Sequence, residues 1–113
     1  MQKDPEAGSR RHLRVPYAGG TAAVRCSKAG PTISGALIDI SISGCLVSMP
    51  EPLQVTSDQM IEVRLDLNHI AVRAMGFVRH TNRADNAVGI EFHKLSEKDR
   101  ADLDEFVSFF API

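Results

Sequence analysis

The sequence contains no tryptophan, one tyrosine and five phenylalanines, so aromatic residues make up only 5% of its 113 residues. Small barrels that bind single-stranded nucleic acid stack bases on aromatic side chains, and each stacked base contributes roughly 1–3 kcal/mol. The shortage of aromatic residues therefore argues against that class of protein. A salt-dependent gel shift with an oligonucleotide would bring it back into consideration.

The sequence also lacks a long apolar run. No stretch approaches the roughly 20 residues that a membrane-spanning helix needs, and the first nine residues, MQKDPEAGS, have no apolar segment of the kind found in secretory signals. We therefore expect no membrane insertion. The expected location is the cytoplasm, either as a free protein or as a soluble part held by a partner.

Residues for metal binding or catalysis are few and scattered. The two cysteines, Cys26 and Cys45, have no CxxC spacing, which favours two reduced, partly buried thiols without a disulfide or a metal. No phosphate-binding glycine loop or nucleophile motif is present. The four histidines are far apart: His12, His69, His80 and His93. We expect no enzymatic activity, no metal and no cofactor.

Charge is balanced overall but unevenly distributed. The formal net charge is −1, and the isoelectric point is near 6.4. Residues 9–17 carry three arginines and no acid, whereas residues 96–105 have a local charge of −3. Proteins that bind nucleic-acid polymers spread basic residues over a whole face and have higher isoelectric points. The short basic segment suits a small anion better than a polymer.

Alternating apolar and polar residues predict six strands, followed by a helix. Six short strands separated by turns fit a small barrel or a sandwich, and closure into a barrel leaves no unpaired strand edge. The expected fold is therefore mostly β, a six-stranded antiparallel, split β-barrel with a C-terminal α-helix. The predicted strands cover residues 21–28, 34–42, 45–49, 60–67, 70–81 and 87–92.

The predicted helix covers residues 96–110 and begins at Ser96, a good N-cap that is followed by acidic residues. Its apolar residues form one stripe, which packs on the barrel or binds a partner. They are Leu103, Phe106, Val107 and Phe110. The expected organisation is a flexible N-terminal arm, residues 1–9, and one domain, residues 10–113.

A polar patch is expected near the end of the second strand. Alternation over residues 38–42 directs three isoleucines to one face, so Asp39 and Ser41 should lie together on the exposed face. Solvated polar residues are the ordinary explanation of such a pattern. Gly44 follows shortly after, which indicates a tight bend or a close approach to the backbone.

The basic segment complements this patch chemically. Arg10 and Arg14 are four residues apart and face the same side, with Arg11 between them. An arginine fork donates two parallel hydrogen bonds to O6 and N7 of guanine, or to phosphate oxygens. The carboxylate of Asp39 can accept from the N1–H and the amino group of guanine, a combination that adenine does not offer. A guanine nucleotide therefore suits both features.

Taken together, these residues resemble the signature of the PilZ domain family, bacterial receptors for cyclic di-GMP. The RxxxR motif is Arg10-Arg-His-Leu-Arg14, and the [D/N]xSxxG motif is Asp39-Ile-Ser41-Ile-Ser-Gly44. The VGIEF stretch at 88–92 is similar to a late strand of the family. The resemblance covers residues 10 to about 110, which is typical of a stand-alone member.

The resemblance implies a role for each motif residue. Arg10 and Arg14 would contact guanine edges and phosphates of the ligand, and Arg11 would add a phosphate or stacking contact. Asp39 and Ser41 would hold a guanine against the barrel. Gly44 would keep the strand end open for close approach.

Two further features of the ligand site stay open. Many family members carry another arginine directly before RxxxR, which favours binding of two ligand molecules, and this sequence has Ser9 there. One or two bound molecules are therefore both compatible with the sequence. The residue that stacks on a base of the ligand is also open, and the two candidates are Arg79 and His80.

The resemblance implies a cyclic di-GMP receptor that acts on a downstream partner in motility, polysaccharide or biofilm control. Ligand binding would order the arginine segment on the barrel and change the surface offered to that partner. The alternative is a protein–protein adaptor with the same fold that does not depend on nucleotide. The partner and the oligomeric state are not specified by the sequence.

Overall fold

A computed structural model of the chain describes residues 14–17, 19–56, 58–82 and 84–110. These residues form seven strands and one helix. The elements are β1 (Val15–Pro16), β2 (Thr21–Arg25), β3 (Thr32–Ile40), β4 (Gly44–Ser48), β5 (Met60–Leu67), β6 (Ile70–Asn82), β7 (Ala87–Lys94) and α1 (Glu97–Phe110).

Six of the strands close into an antiparallel barrel in the order β3-β2-β5-β6-β7-β4, with β4 pairing back onto β3. The short strand β1 is additional and pairs with the end of β3, where Pro16 lies opposite Asp39. Closure gives each barrel strand two neighbours, which removes the exposed edges that an open sheet would present. The prediction of a mostly β, six-stranded antiparallel barrel with a C-terminal helix is confirmed.

Alternation along β5 shows why these residues form a barrel wall. The strand covers the range predicted from the sequence, Met60–Leu67. Four of its apolar residues point inward and are at most 2% exposed, while Arg64 between them is exposed. The inward residues are Ile61, Val63, Leu65 and Leu67. Their burial provides the hydrophobic stabilisation that outweighs the entropy lost on ordering the strand.

A two-residue turn connects β5 to β6. Leu67 pairs with Ile70, and Asn68 between them has a positive φ of 60°. Asparagine tolerates this left-handed conformation better than most residues, and such turns match the twist of hairpin strands. The turn therefore fixes the register of every pair along the β5–β6 hairpin.

The alternation predicted for β3 is wrong at its centre. Ile38 is 40% exposed, whereas Leu37 is 4% exposed and Ile40 is fully buried. The pairing between β3 and β4 shifts between Leu37 and Asp39, which is the mark of a β-bulge. The extra residue at a bulge reverses the side-chain alternation, so Ile38 and Ile40 do not share a face.

Helix α1 begins directly after Ser96, which caps it as predicted. The hydroxyl of Ser96 accepts a hydrogen bond from the backbone N–H of Asp99 at 3.0 Å and donates to its carboxylate at 2.7 Å. Leu103 and Val107 are buried against the barrel. No helix in the described ranges is long and apolar enough to span a bilayer.

Candidate ligand-binding site

The two sequence motifs meet at the pairing of β1 with β3. Because Val15 pairs with Ile40 and Pro16 with Asp39, the chain just before β1 runs alongside the end of β3. Nη1 of Arg14 donates a hydrogen bond to Oδ1 of Asp39 at 2.8 Å. The second arginine of RxxxR and the acid of DxSxxG therefore form one ion pair.

This ion pair leaves hydrogen-bonding capacity free for a ligand. The side chain of Arg14 is 50% exposed and that of Asp39 is 20% exposed. A guanidinium has five N–H donors and a carboxylate has two acceptor oxygens, so one contact between them does not exhaust either group. The pair can therefore present donors and acceptors side by side to a planar base or to a phosphate.

Ser41 does not lie on the exposed face, and that part of the prediction is wrong. Its side chain is fully buried, and its hydroxyl accepts from the backbone N–H groups of Ser43 and Gly44, both at 3.2 Å. The backbone N–H of Ser41 donates to the carbonyl of Gly44 at 2.8 Å. Since β3 ends at Ile40, the chain turns at Ser41 and strand alternation no longer applies.

The turn from Ser41 to Gly44 is thus built around the serine hydroxyl. Removing that hydroxyl would leave two backbone donors without their partner, a loss that typically costs about 1–3 kcal/mol at a buried position. The turn sets the direction in which the chain leaves Asp39. Ser41 therefore acts on the site by shaping the backbone beside the acid.

Gly44 is buried rather than part of an open surface, which corrects the expectation that it leaves the strand end accessible. The close approach inferred from the glycine is present, but the group that approaches is the backbone of β7. A Cβ built on Gly44 would lie 2.3 Å from the carbonyl oxygen of Ile90. Only glycine lets β4 and β7 pack at this distance.

We expect Gly44→Ala to lower the free energy of unfolding by about 1–3 kcal/mol, because a methyl group there overlaps backbone that cannot rotate away. The measurement is urea denaturation followed by circular dichroism. Gly30→Ala is the control, since the nearest atom to its Cβ would be the hydroxyl of Ser27, a side chain that can move. Equal stability losses in the two variants would contradict the close-packing explanation.

The outer surface beside Asp39 extends across three more strands. Asp39 pairs with Leu46, Leu46 pairs with Gly89, and Gly89 pairs with His80. The ring of His80 lies directly over Gly89, because a Cβ built on Gly89 would be 2.2 Å from its Cε1. With strands about 4.8 Å apart, Asp39 and His80 are roughly 14 Å apart along this row.

The structure separates the two residues considered for base stacking. Arg79 is engaged by its neighbours, since it forms an ion pair with Glu91 and lies 5.3 Å from the centre of the Phe77 ring. His80 presents its ring on the same outer row as Asp39. Of the two, His80 has the better position for contact with a ligand that also reaches Asp39.

Cys45 lies under the ion pair, a feature that the sequence did not indicate. The pKa of the Cys45 thiol is raised from 9.0 to about 12, mainly by burial and also by the negative charge of Asp39, while the positive charge of Arg14 partly opposes the rise. Both Cys45 and Cys26 are free thiols. Among the described residues, no group of three or more potential metal ligands comes together.

Arg10, Arg11 and the predicted arm of residues 1–9 lie outside the described residues. The structure therefore does not place these two arginines. Arg14, which follows them, fixes only the point at which the segment joins the barrel, next to Asp39.

The chain that carries this ion pair matches a known protein family. The family model of the PilZ domain matches residues 9–109. The chain belongs to the PilZ domain family. Both motifs of the sequence lie within the matched range, and so do the seven strands that the described residues form. No curated protein matches the sequence.

Several solved structures share the fold of this PilZ domain. The Bacillus subtilis inhibitor of motility, MotI/DgrA, is 13% identical with a TM-score of 0.72, over 96% of this chain and 51% of that one. The PilZ domain of CeSA, from a cellulose-synthesizing bacterium, is 14% identical with a TM-score of 0.67, over 85% and 95%. YcgR from Escherichia coli, in complex with c-di-GMP, is 16% identical with a TM-score of 0.65, over 88% and 45%.

These identities are low, so the likeness concerns the fold. The chain spans about half the length of MotI/DgrA and of YcgR.

Proposed function

We propose that this PilZ domain is a receptor for cyclic di-GMP and not an enzyme. The observation that carries the proposal is the 2.8 Å ion pair between Arg14 and Asp39, which joins the two motifs of the family at one place on the barrel. The complex of YcgR with c-di-GMP supports it, because YcgR shares the fold. The proposed site is the outer surface around Asp39.

The chemistry of the ion pair fits guanine. The free oxygen of Asp39 accepts from the N1–H and amino group of the base, and the remaining donors of Arg14 reach O6, N7 or a phosphate oxygen. Arg10 and Arg11 supply further positive charge for the two phosphates. Ser41 holds the turn that places Asp39, and Gly44 allows β4 to pack against β7 beneath it.

Signalling would follow from the position of the arginine segment. A ligand that contacts both Arg14 and the barrel holds residues 10–14 against the outer surface, and this changes what a downstream protein meets. The process controlled would be motility, polysaccharide production or biofilm formation; MotI/DgrA is an inhibitor of motility, and CeSA comes from a cellulose-synthesizing bacterium. We place the receptor in the cytoplasm, where it would meet the messenger.

Calorimetric titration of the full chain with cyclic di-GMP tests the proposal and counts the molecules bound. We expect saturable binding, with cyclic di-AMP and GMP at least tenfold weaker. Adenine lacks the O6 acceptor and the N1–H donor, and GMP supplies only one guanine. Absence of heat with cyclic di-GMP in large excess, together with no rise in melting temperature, would overturn the proposal.

The adaptor function is the second candidate, and one observation favours it. Phe109 is 81% exposed and Phe110 is 44% exposed at the end of α1, where they line an apolar groove of about 580 Å³. Exposed apolar surface of this kind is common where proteins bind other proteins. The same titration separates the two functions, because an adaptor that is independent of nucleotide shows no response to cyclic di-GMP.

A further inference from the structure

A second charged surface lies on β5 and the first part of β6, whereas His80 of the proposed cyclic di-GMP surface lies near the end of β6. The strands that carry it, β5 and β6, are two and three strands away from β3 in the closed order. Between these strands and the start of α1 there is an open groove of about 730 Å³. Its charged lining residues are Arg25, Glu62, Arg64, Arg73, Lys94 and Asp99.

The two acids of this groove are already engaged. Glu62 accepts a hydrogen bond from Arg25 at 2.6 Å, and Asp99 accepts from the capping hydroxyl of Ser96 at 2.7 Å. Neither acid forms an ion pair with Arg64, Arg73 or Lys94, so the described groove has four cations and two acids, an excess of positive charge. In the described part of the chain, Arg73 and Lys94 form no ion pair.

Two of the cations are forced together by the strand register. Arg64 on β5 lies directly opposite Arg73 on β6. Since the two-residue turn makes Leu67 and Ile70 a hydrogen-bonded pair, the third pair beyond it, Arg64–Arg73, is a non-hydrogen-bonded pair, whose side chains come closest. Like charges in such a position destabilise a sheet.

The available acid on this hairpin offsets little of that repulsion. Arg64 reaches Asp66 at 3.3 Å, but both side chains are about half exposed, 54% and 48%. Surface pairs of this kind contribute little. An external anion placed between Arg64 and Arg73 would convert their repulsion into two attractive contacts.

We propose that this groove is a second anion site, in which Arg64 and Arg73 hold one phosphate group between their guanidinium forks, with Lys94 nearby. Arginine suits this task because its planar fork matches two oxygens of a phosphate. The apolar rim formed by Ala23 and Met75 leaves room for the organic part of a phosphate ester. The site is independent of the proposed cyclic di-GMP surface around Asp39.

The test uses inorganic pyrophosphate as the probe and the full chain as the protein. We expect saturable binding in calorimetry, weakened at least tenfold in Arg73→Gln and in Arg64→Gln and unchanged in Arg100→Gln. Arg100 is an exposed arginine of α1 outside the groove, so it controls for general charge. Arg73→Gln should also raise the melting temperature by about 1–4 °C, because it removes the like-charge pair.

A second experiment, with lipid vesicles, identifies whether the phosphate belongs to a lipid or to a soluble molecule. Co-sedimentation with phosphatidylglycerol vesicles, compared with phosphatidylcholine vesicles, reports a lipid headgroup, whereas pyrophosphate binding alone reports a soluble phosphate ester. Failure of the wild type to bind either probe, or equal binding by Arg73→Gln, overturns the proposal. Loss of the Arg73-dependent pyrophosphate binding when cyclic di-GMP is added to saturation would also overturn it, since two separate sites do not compete.

Failure of the anion-site proposal can be distinguished from failure of the cyclic di-GMP receptor proposal. Arg64→Gln and Arg73→Gln should bind cyclic di-GMP as the wild type does. If cyclic di-GMP does not bind to any variant but pyrophosphate does, the receptor proposal fails and the anion site stands.

Discussion

Asp39→Ala is expected to weaken binding of cyclic di-GMP by about ten- to a hundredfold, which corresponds to roughly 1.4–2.7 kcal/mol. The carboxylate is the group that accepts from the guanine N1–H and amino group, and hydrogen bonds to charged groups contribute about 1.5–3 kcal/mol each. The substitution also releases Arg14 from its 2.8 Å contact. Calorimetric titration of each variant measures the effect directly.

The chain offers a matched control for this variant. Asp66 is also an acid on the barrel wall with an arginine partner, Arg64 at 3.3 Å, but it lies on β5 and away from Asp39. Asp66→Ala should therefore bind cyclic di-GMP like the wild type. Wild-type affinity in Asp39→Ala, or an equal loss in both variants, would contradict the assignment of Asp39.

Arg14→Ala belongs to the same prediction and should lose affinity by at least tenfold, or about 1.4 kcal/mol. Arg14→Lys adds information, because lysine keeps the charge but lacks the planar fork that matches O6 and N7. A loss in both variants indicates contact through the fork. Full affinity in Arg14→Lys would show that the positive charge alone is what matters.

Alkaline pH should destabilise the folded chain through Cys45. The thiol titrates near 9.0 in the unfolded chain and near 12 in the folded one, mainly because it is buried in the folded state. The folded state therefore keeps its proton while the unfolded state loses it. The stability contribution is present below pH 9 and is lost as the pH rises towards 12, by up to about 4 kcal/mol.

Urea denaturation at several pH values between 8 and 11 measures this loss. Other groups titrate in the same range, so the quantity of interest is the difference in slope between the wild type and Cys45→Ala. Removing the buried thiol should flatten the pH dependence. Cys26→Ala is the control, because Cys26 is only partly buried. Parallel curves for wild type and Cys45→Ala would contradict the burial effect.

Much of the barrel was accessible from the sequence because its strands alternate regularly. The range predicted for β5, residues 60–67, is the range observed. The strand predicted over 21–28 instead ends at Arg25, because a turn follows in which the backbone N–H of Gly30 donates to the carbonyl of Ser27. Alternation locates a strand well but does not report where a turn competes for the backbone.

The site was less predictable, for a structural reason. The motifs indicated that Arg14 and Asp39 belong together, and the structure joins them. The bulge after Leu37 and the turn at Ser41 could not be derived from apolar and polar spacing, because each depends on pairing with β4 and on hydrogen bonds across the turn. The bulge and the turn both break the period of two at the residues that we propose for binding.

Chemical-shift mapping of the isotope-labelled full chain tests the central claim most directly, since it shows where the ligand contacts the barrel. On addition of cyclic di-GMP, we expect the largest amide shifts at Arg14, at residues 39–44 and at Gly89 and His80, with little change at Arg73. Shifts confined to the groove around Arg73, or spread without a maximum near Asp39, would contradict the proposed site.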